Sequence, residues 1–157
     1  MFAQKTAKVM FALVLGLAAA GSAWADPSCH AIHGSVSLGP SEGPCDSIIG
    51  LCAAGELRGV LRGTSEFTGT GIAPNVDTEA TSVVTLTGDN VIHLKDGDLL
   101  TKDAIVLATA GNGEFAEVDT IVGGTGAYAG ASGRFVATGV FAAGIGEGVY
   151  HGEICLP

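Results

Sequence analysis

The chain has 157 residues, with sixteen acidic against seven basic side chains and a formal net charge of −9. Such a chain repels phosphate backbones and anionic headgroups, which argues against nucleic acid or a membrane surface as its partner. Its length is that of one ordinary domain.

The first 25 residues read as a cleavable signal peptide. Lys5 and Lys8 precede an apolar run from Val9 to Ala20, and Ala23-Trp24-Ala25 supplies an A-x-A cleavage pattern. The run falls short of the ~20 residues needed to span a bilayer. Cleavage after Ala25 would leave a chain with five basic and sixteen acidic residues, a net charge of −11, secreted or periplasmic and not inserted in a membrane. All four cysteines, Cys29, Cys45, Cys52 and Cys155, lie beyond the leader. An even count in an exported chain implies two disulfides, and four cysteines allow three pairings.

Residues 26–52 hold three cysteines and three of the five prolines, the texture of a loop-rich, disulfide-tied arm. Residues 53–157 read as a β-barrel domain. Short runs rich in Val, Ile, Thr and Phe predict strands at Glu56–Thr68, Glu79–Thr87, Val91–Leu94, Leu99–Thr109, Phe115–Val122, Ala127–Ala131, Arg134–Phe141 and Gly148–Leu156. Gly88-Asp89-Asn90, Asp96-Gly97-Asp98, Gly111-Asn112-Gly113 and Gly144-Ile145-Gly146 carry turn chemistry, because tight hairpins need positive φ. Eight strands with no room for crossover helices predict an all-β, antiparallel, up-and-down barrel, whose closure removes exposed edges.

Alternation sorts side chains by face. Leu57, Leu61 and Phe67 share one face; Glu56, Arg58, Arg62 and Glu66 share the other, with Arg62 and Glu66 placed to pair on the surface. Asp103 shares a face with Leu99, Ile105 and Leu107, and Glu117 and Asp119 share one with Phe115 and Ile121. These three acids are the candidate catalytic residues. A carboxyl group set among bulky apolar neighbours in a lumen has a raised pKa and can act as acid or base near neutrality. Their other reading is as solvent-facing members of an acidic surface. His151 and Glu153 share a face of the last strand, but His93 could complete a metal site only if non-neighbouring strands met. No metal or cofactor is expected.

The segment Gly124-Thr125-Gly126-Ala127-Tyr128-Ala129 matches the dinucleotide-binding pattern, yet glycines interrupt the residues where its helix would have to run. The longer stretch Gly123-Gly124-Thr125-Gly126-Ala127-Tyr128-Ala129-Gly130-Ala131-Ser132-Gly133, followed by Arg134–Thr138 and Gly139, resembles the signature of allene oxide cyclase-like barrels and their dirigent relatives. Leu57–Thr64 and Tyr150–Cys155 resemble the first and last strands of bacterial exported members, and the likeness covers roughly residues 52–156. The resemblance implies that the last strand closes on the first, and hence the pairs Cys52–Cys155 and Cys29–Cys45. It further implies a lumen that takes a hydrophobic or phenolic small molecule. The alternatives are an isomerase or cyclase that confines a reactive intermediate, and a structural or interaction protein whose lumen is filled with side chains. Oligomeric state and ligand identity are not encoded in any motif.

Overall fold

The computed structural model describes residues 28–74 and 82–157. The expected signal peptide, residues 1–25, and residues 79–81 of one expected strand lie outside the described residues.

Eight antiparallel strands close into a barrel in sequence order. They are β1 (Ser28–Pro40), β2 (Cys52–Gly59), β3 (Gly63–Pro74), β4 (Val83–Leu94), β5 (Gly97–Ala108), β6 (Glu114–Gly124), β7 (Ser132–Ala142) and β8 (Ile145–Leu156). The seam is the β1–β8 ladder, in register from Ser28 opposite Leu156 to Leu38 opposite Gly146. Every edge is thereby paired, as the meander of the sequence requires.

The barrel's first strand is not the one expected. Residues 28–40, read as part of a loop-rich arm, form β1 and supply the closing edge. Their signal is a period of two, Ile32, Gly34, Val36 and Leu38 inward with His33, Ser35 and Ser37 outward, masked by cysteine and proline nearby. The expected strand Glu56–Thr68 is two strands, because Gly59 takes φ +124° and the chain reverses over residues 60–62. Conversely, the described part of the expected Glu79–Thr87 strand, from Val83 on, and Val91–Leu94 belong to one strand, and Gly88-Asp89-Asn90 is no turn. Gly88 is needed there for room: a Cβ on it would fall 2.1 Å from the Phe67 ring on β3. Ala127–Ala131 is not a strand either; Gly126–Tyr128 forms a single 3₁₀ turn that caps one end of the barrel. The true β7–β8 turn is Ala143-Gly144, both at positive φ, rather than Gly144-Ile145-Gly146.

The cysteine pairing also differs from the expectation. The disulfides are Cys29–Cys155 and Cys45–Cys52. With β1 beginning at Ser28, Cys29 lies directly across the seam from Cys155. Cys52 opens β2 at the opposite end of the barrel, out of reach of Cys155, and instead ties down the β1–β2 loop. Two disulfides fit an oxidising compartment. No helix among the described residues is long and apolar enough to cross a membrane.

Inward alternation fills only one end. Ile32, Leu57, Leu61, Ile92, Leu99, Ile121, Phe135 and Ile154 are buried in one cluster, with Leu94, Tyr128 and Leu156 packed against it. These residues lie where β1, β3, β5 and β7 begin and their partners end. Tyr150 is buried beside them, edge-on to Phe135 at 5.7 Å between ring centres. Its hydroxyl accepts a hydrogen bond from Leu61 N at 2.9 Å and donates to Leu61 O at 3.1 Å, which ties β8 to the β2–β3 turn. Tyr150→Phe strands two buried backbone groups and should cost about 2 kcal/mol in denaturant unfolding; an unchanged midpoint would refute that role.

Candidate functional site

The other half of the lumen is open. A cavity of about 280 Å³ is walled by apolar side chains, among them Val36, Leu57, Phe67, Leu86, Leu107, Phe115 and Phe141. Polar groups reach it from few places: Ser65, Asn90, Glu117, Asp119 and Tyr150. The mouth lies at the end where β1 meets β2, beside Pro40, Leu51 and Cys52, so the Cys45–Cys52 bridge borders the opening. Ser47 pins the loop that this bridge closes, donating from Oγ to Gly69 O at 2.6 Å. The packed end makes the cavity blind.

The three acids singled out from the sequence meet at its floor, which Glu117 and Asp119 line while Asp103 lies against them from β5. Asp103 on β5 and Asp119 on β6 face each other across the ladder, and Glu117 is one inward position from Asp119. Ligand-capable oxygens of Asp103, Glu117 and Asp119 all lie within 4.8 Å of one another. The three residues are 3%, 8% and 2% exposed, so the solvent-facing reading does not hold. Local strand geometry explains the grouping: inward residues two apart on one strand and opposite on the next are nearest neighbours in a sheet.

Burial dominates the electrostatics. Desolvation raises Asp103 to about 6, offset in part by hydrogen bonds from Thr101, Asp119 and Asn90. Thr101 Oγ1 donates to Asp103 Oδ1 at 2.5 Å. Desolvation, with the charge of Asp103 added, raises Glu117 to about 8. Asp119 is pushed well above the ordinary carboxylate range by burial and then by both neighbours. No cation relieves them, since all five basic residues among the described residues are on the outer wall. At neutral pH the floor therefore holds protons, shared between acids that cannot all ionise together. Such a group can donate to a ligand oxygen, accept from a ligand N–H or O–H, or pass a proton between two positions.

The other chemistry-bearing residues stay apart from the lumen. His93 sits outside, with Nδ1 2.8 Å from Asp98 Oδ1 and Nε2 3.8 Å from Glu66. Glu66 thus approaches His93 across the ladder, and the ion pair on this face is Arg58–Glu56 at 2.9 Å, not Arg62–Glu66. The four cysteines are all consumed in disulfides. The dinucleotide-like glycines end β6 and open the 3₁₀ turn, with no α-helix behind them. Sequence reasoning missed Asn90 as a lumen residue. Its signal was there: Leu86, Gly88, Asn90 and Ile92 are spaced by two, and only the turn-like composition obscured it.

No family model, no curated protein and no solved structure matches the chain.

Proposed function

We propose that this chain is an exported barrel that holds an apolar small molecule in the open half of its lumen. The observation that carries this reading is the blind cavity of about 280 Å³, apolar on its walls and acidic only at its floor. Binding sites for small organic molecules have this composition: an apolar enclosure for most of the surface and a few placed polar groups for orientation. The two disulfides and the leader-like first 25 residues support export. The glycine-rich segment's likeness to allene oxide cyclase-like barrels supports the same use of the lumen.

The experiment is capture from a lipophilic extract of the producing cells by the purified mature protein, with the retained compound identified by mass spectrometry. Ala53→Trp, at a cavity-lining position near the mouth, should abolish capture without lowering the melting temperature. Equal retention by the variant, or none by the wild type, would overturn the reading.

A specific observation favours a second reading, a cofactor-independent isomerase or cyclase. Burial pushes two of the carboxyl groups up to about 6 and about 8, which suits proton transfer near neutrality. Once a captured compound is known, Glu117→Gln should reduce its conversion per bound molecule, measured at saturating compound, by about a hundredfold or more. Unchanged turnover would exclude Glu117 from the chemistry.

A further inference from the structure

The floor is a set of acceptors short of donors. Asn90 Oδ1, Asp103 Oδ2 and Asp119 Oδ2 are each buried without a hydrogen-bond partner. Asp103 and Asp119 are 97% and 98% shielded from solvent. Of the donors beside them, Thr101 is committed to the other oxygen of Asp103, the Asn90 amide also hydrogen-bonds Asp103, and the Tyr150 hydroxyl is committed to Leu61 O. A proton shared by the two aspartates relieves that pair at the expense of keeping carboxylic acid in the core, and it leaves Asn90 Oδ1 as it is. Buried acceptors without partners cost about 1–3 kcal/mol each, so a lumen built this way favours a guest that brings donors.

We infer that the guest is a primary ammonium ion on an apolar body, seated with its nitrogen at Asp119, Asn90 and Glu117, with Asp103 behind them, and its hydrocarbon against the cavity wall. The inference rests on the reading of the lumen as a binding site. A primary ammonium carries one positive charge and three N–H donors. Three orphaned acceptors and an unneutralised carboxyl cluster ask for that combination. An alcohol or phenol brings one donor and no charge, and a carboxylate brings neither. A divalent metal ion would satisfy the oxygens, because three carboxylates with an amide oxygen form a hard donor set. The metal leaves the apolar wall without a purpose, however, while an ammonium-bearing hydrocarbon uses both parts of the cavity. Bringing the cation in lets one floor carboxyl group give up its proton to solvent, and the carboxylate that balances the single positive charge makes a charge-assisted hydrogen bond in a dry site, where such bonds are strongest, while the acids that stay protonated accept through their carbonyl oxygens.

Titration calorimetry with a matched series tests this on the mature, disulfide-intact protein at near-neutral pH. The probes are octylamine, octyltrimethylammonium, octanol and octanoate. Octylamine should bind at least about tenfold more tightly than octanol, and octanoate should give no measurable heat. Octyltrimethylammonium has the charge without the donors and should fall about tenfold or more below octylamine; equal binding of the two would reduce the effect to attraction by an acidic surface and overturn the inference. Asp119→Asn and Glu117→Gln should each erode the preference for octylamine over octanol, with octanol affinity held. If either variant fails to fold, the four-probe comparison on the wild type decides alone. Octanol binding as well as octylamine would overturn the ammonium guest and leave the apolar lumen standing. No binding by any probe would sink the lumen reading itself. Tight Ca²⁺ or Mg²⁺ binding that excludes octylamine would assign the floor to a metal and overturn the inference as well.

Discussion

Raising the pH from about 5 to about 9 should weaken the folded, ligand-free protein by on the order of 3–5 kcal/mol. The sign follows from the direction in which burial moves the floor. Asp103 is raised from 3.8 to about 6 and Glu117 from 4.5 to about 8, and Asp119 is raised further from its ordinary range. The folded state therefore holds protons that the unfolded chain has already lost. Their stabilising contribution is complete below the unfolded carboxylate range near 4 and disappears as pH climbs through about 6 and about 8. Among the described residues, no histidine, lysine or further acid lines the cavity with them. From β4 they face Asn90, and from β8 Tyr150, which burial holds above its ordinary range near 10. Asp89 on the outer wall adds only a minor upward push on Asp103. Urea unfolding at both pH values gives the difference directly, and Glu117→Gln should flatten it. A stability that is level or rises between pH 5 and pH 9 would show that the three acids are not buried together as neutral groups.

The second large effect belongs to the seam. Cys29–Cys155 joins residues 126 apart in sequence and clamps β1 onto β8 at the ends of both strands. Closing so long a loop removes disorder from the unfolded chain worth up to ~5 kcal/mol, against ~2–3 kcal/mol for Cys45–Cys52 with its separation of 7. The double variant C29A/C155A should lose more stability than C45A/C52A, by about 2 kcal/mol in denaturant midpoints corrected for slope. The seam bridge also restrains the one ladder that joins the two ends of the chain, so its loss should accelerate hydrogen exchange along β1 before other strands. The order reversed, with the short loop contributing more, would contradict the assignment of the seam. The Cys45–Cys52 bridge has its consequence elsewhere, at the mouth of the cavity, where its removal should speed exchange of any bound molecule.

Alternation was the dependable signal in this sequence. It grouped Leu57 with Leu61 on one face and Glu56, Arg58 and Glu66 on the other, and the structure turns the first face inward and the second outward. It put Asp103, Glu117 and Asp119 on apolar faces, and all three are buried. Glycine was the misleading signal, because it serves two ends. At Gly144 it permits a tight turn with φ +84°, but at Gly88 it permits an aromatic ring to lie against the strand. Composition cannot distinguish the two uses, since both need only the missing Cβ. That ambiguity cut β4 in two and hid Asn90. A similar reading by composition concealed β1 behind its cysteine and proline residues, and the wrong cysteine pairing followed from that single omission.

What the amino acids determined on their own was the class of architecture. Period-two patterning, frequent turns and the lack of any amphipathic helix long enough for a crossover leave an antiparallel sheet that must hide its edges. Which residues share the lumen was decided only when the sheet closed. The meeting of Asp103, Asp119 and Asn90 depends on ladder register, and register is fixed by turns and bulges such as the shift between Leu100 and Thr101. Closure likewise decided that Cys29 faces Cys155, and that one end of the barrel is solid while the other is hollow. Contacts between strands are non-local, and the chain carries the side chains for them without stating which will be neighbours.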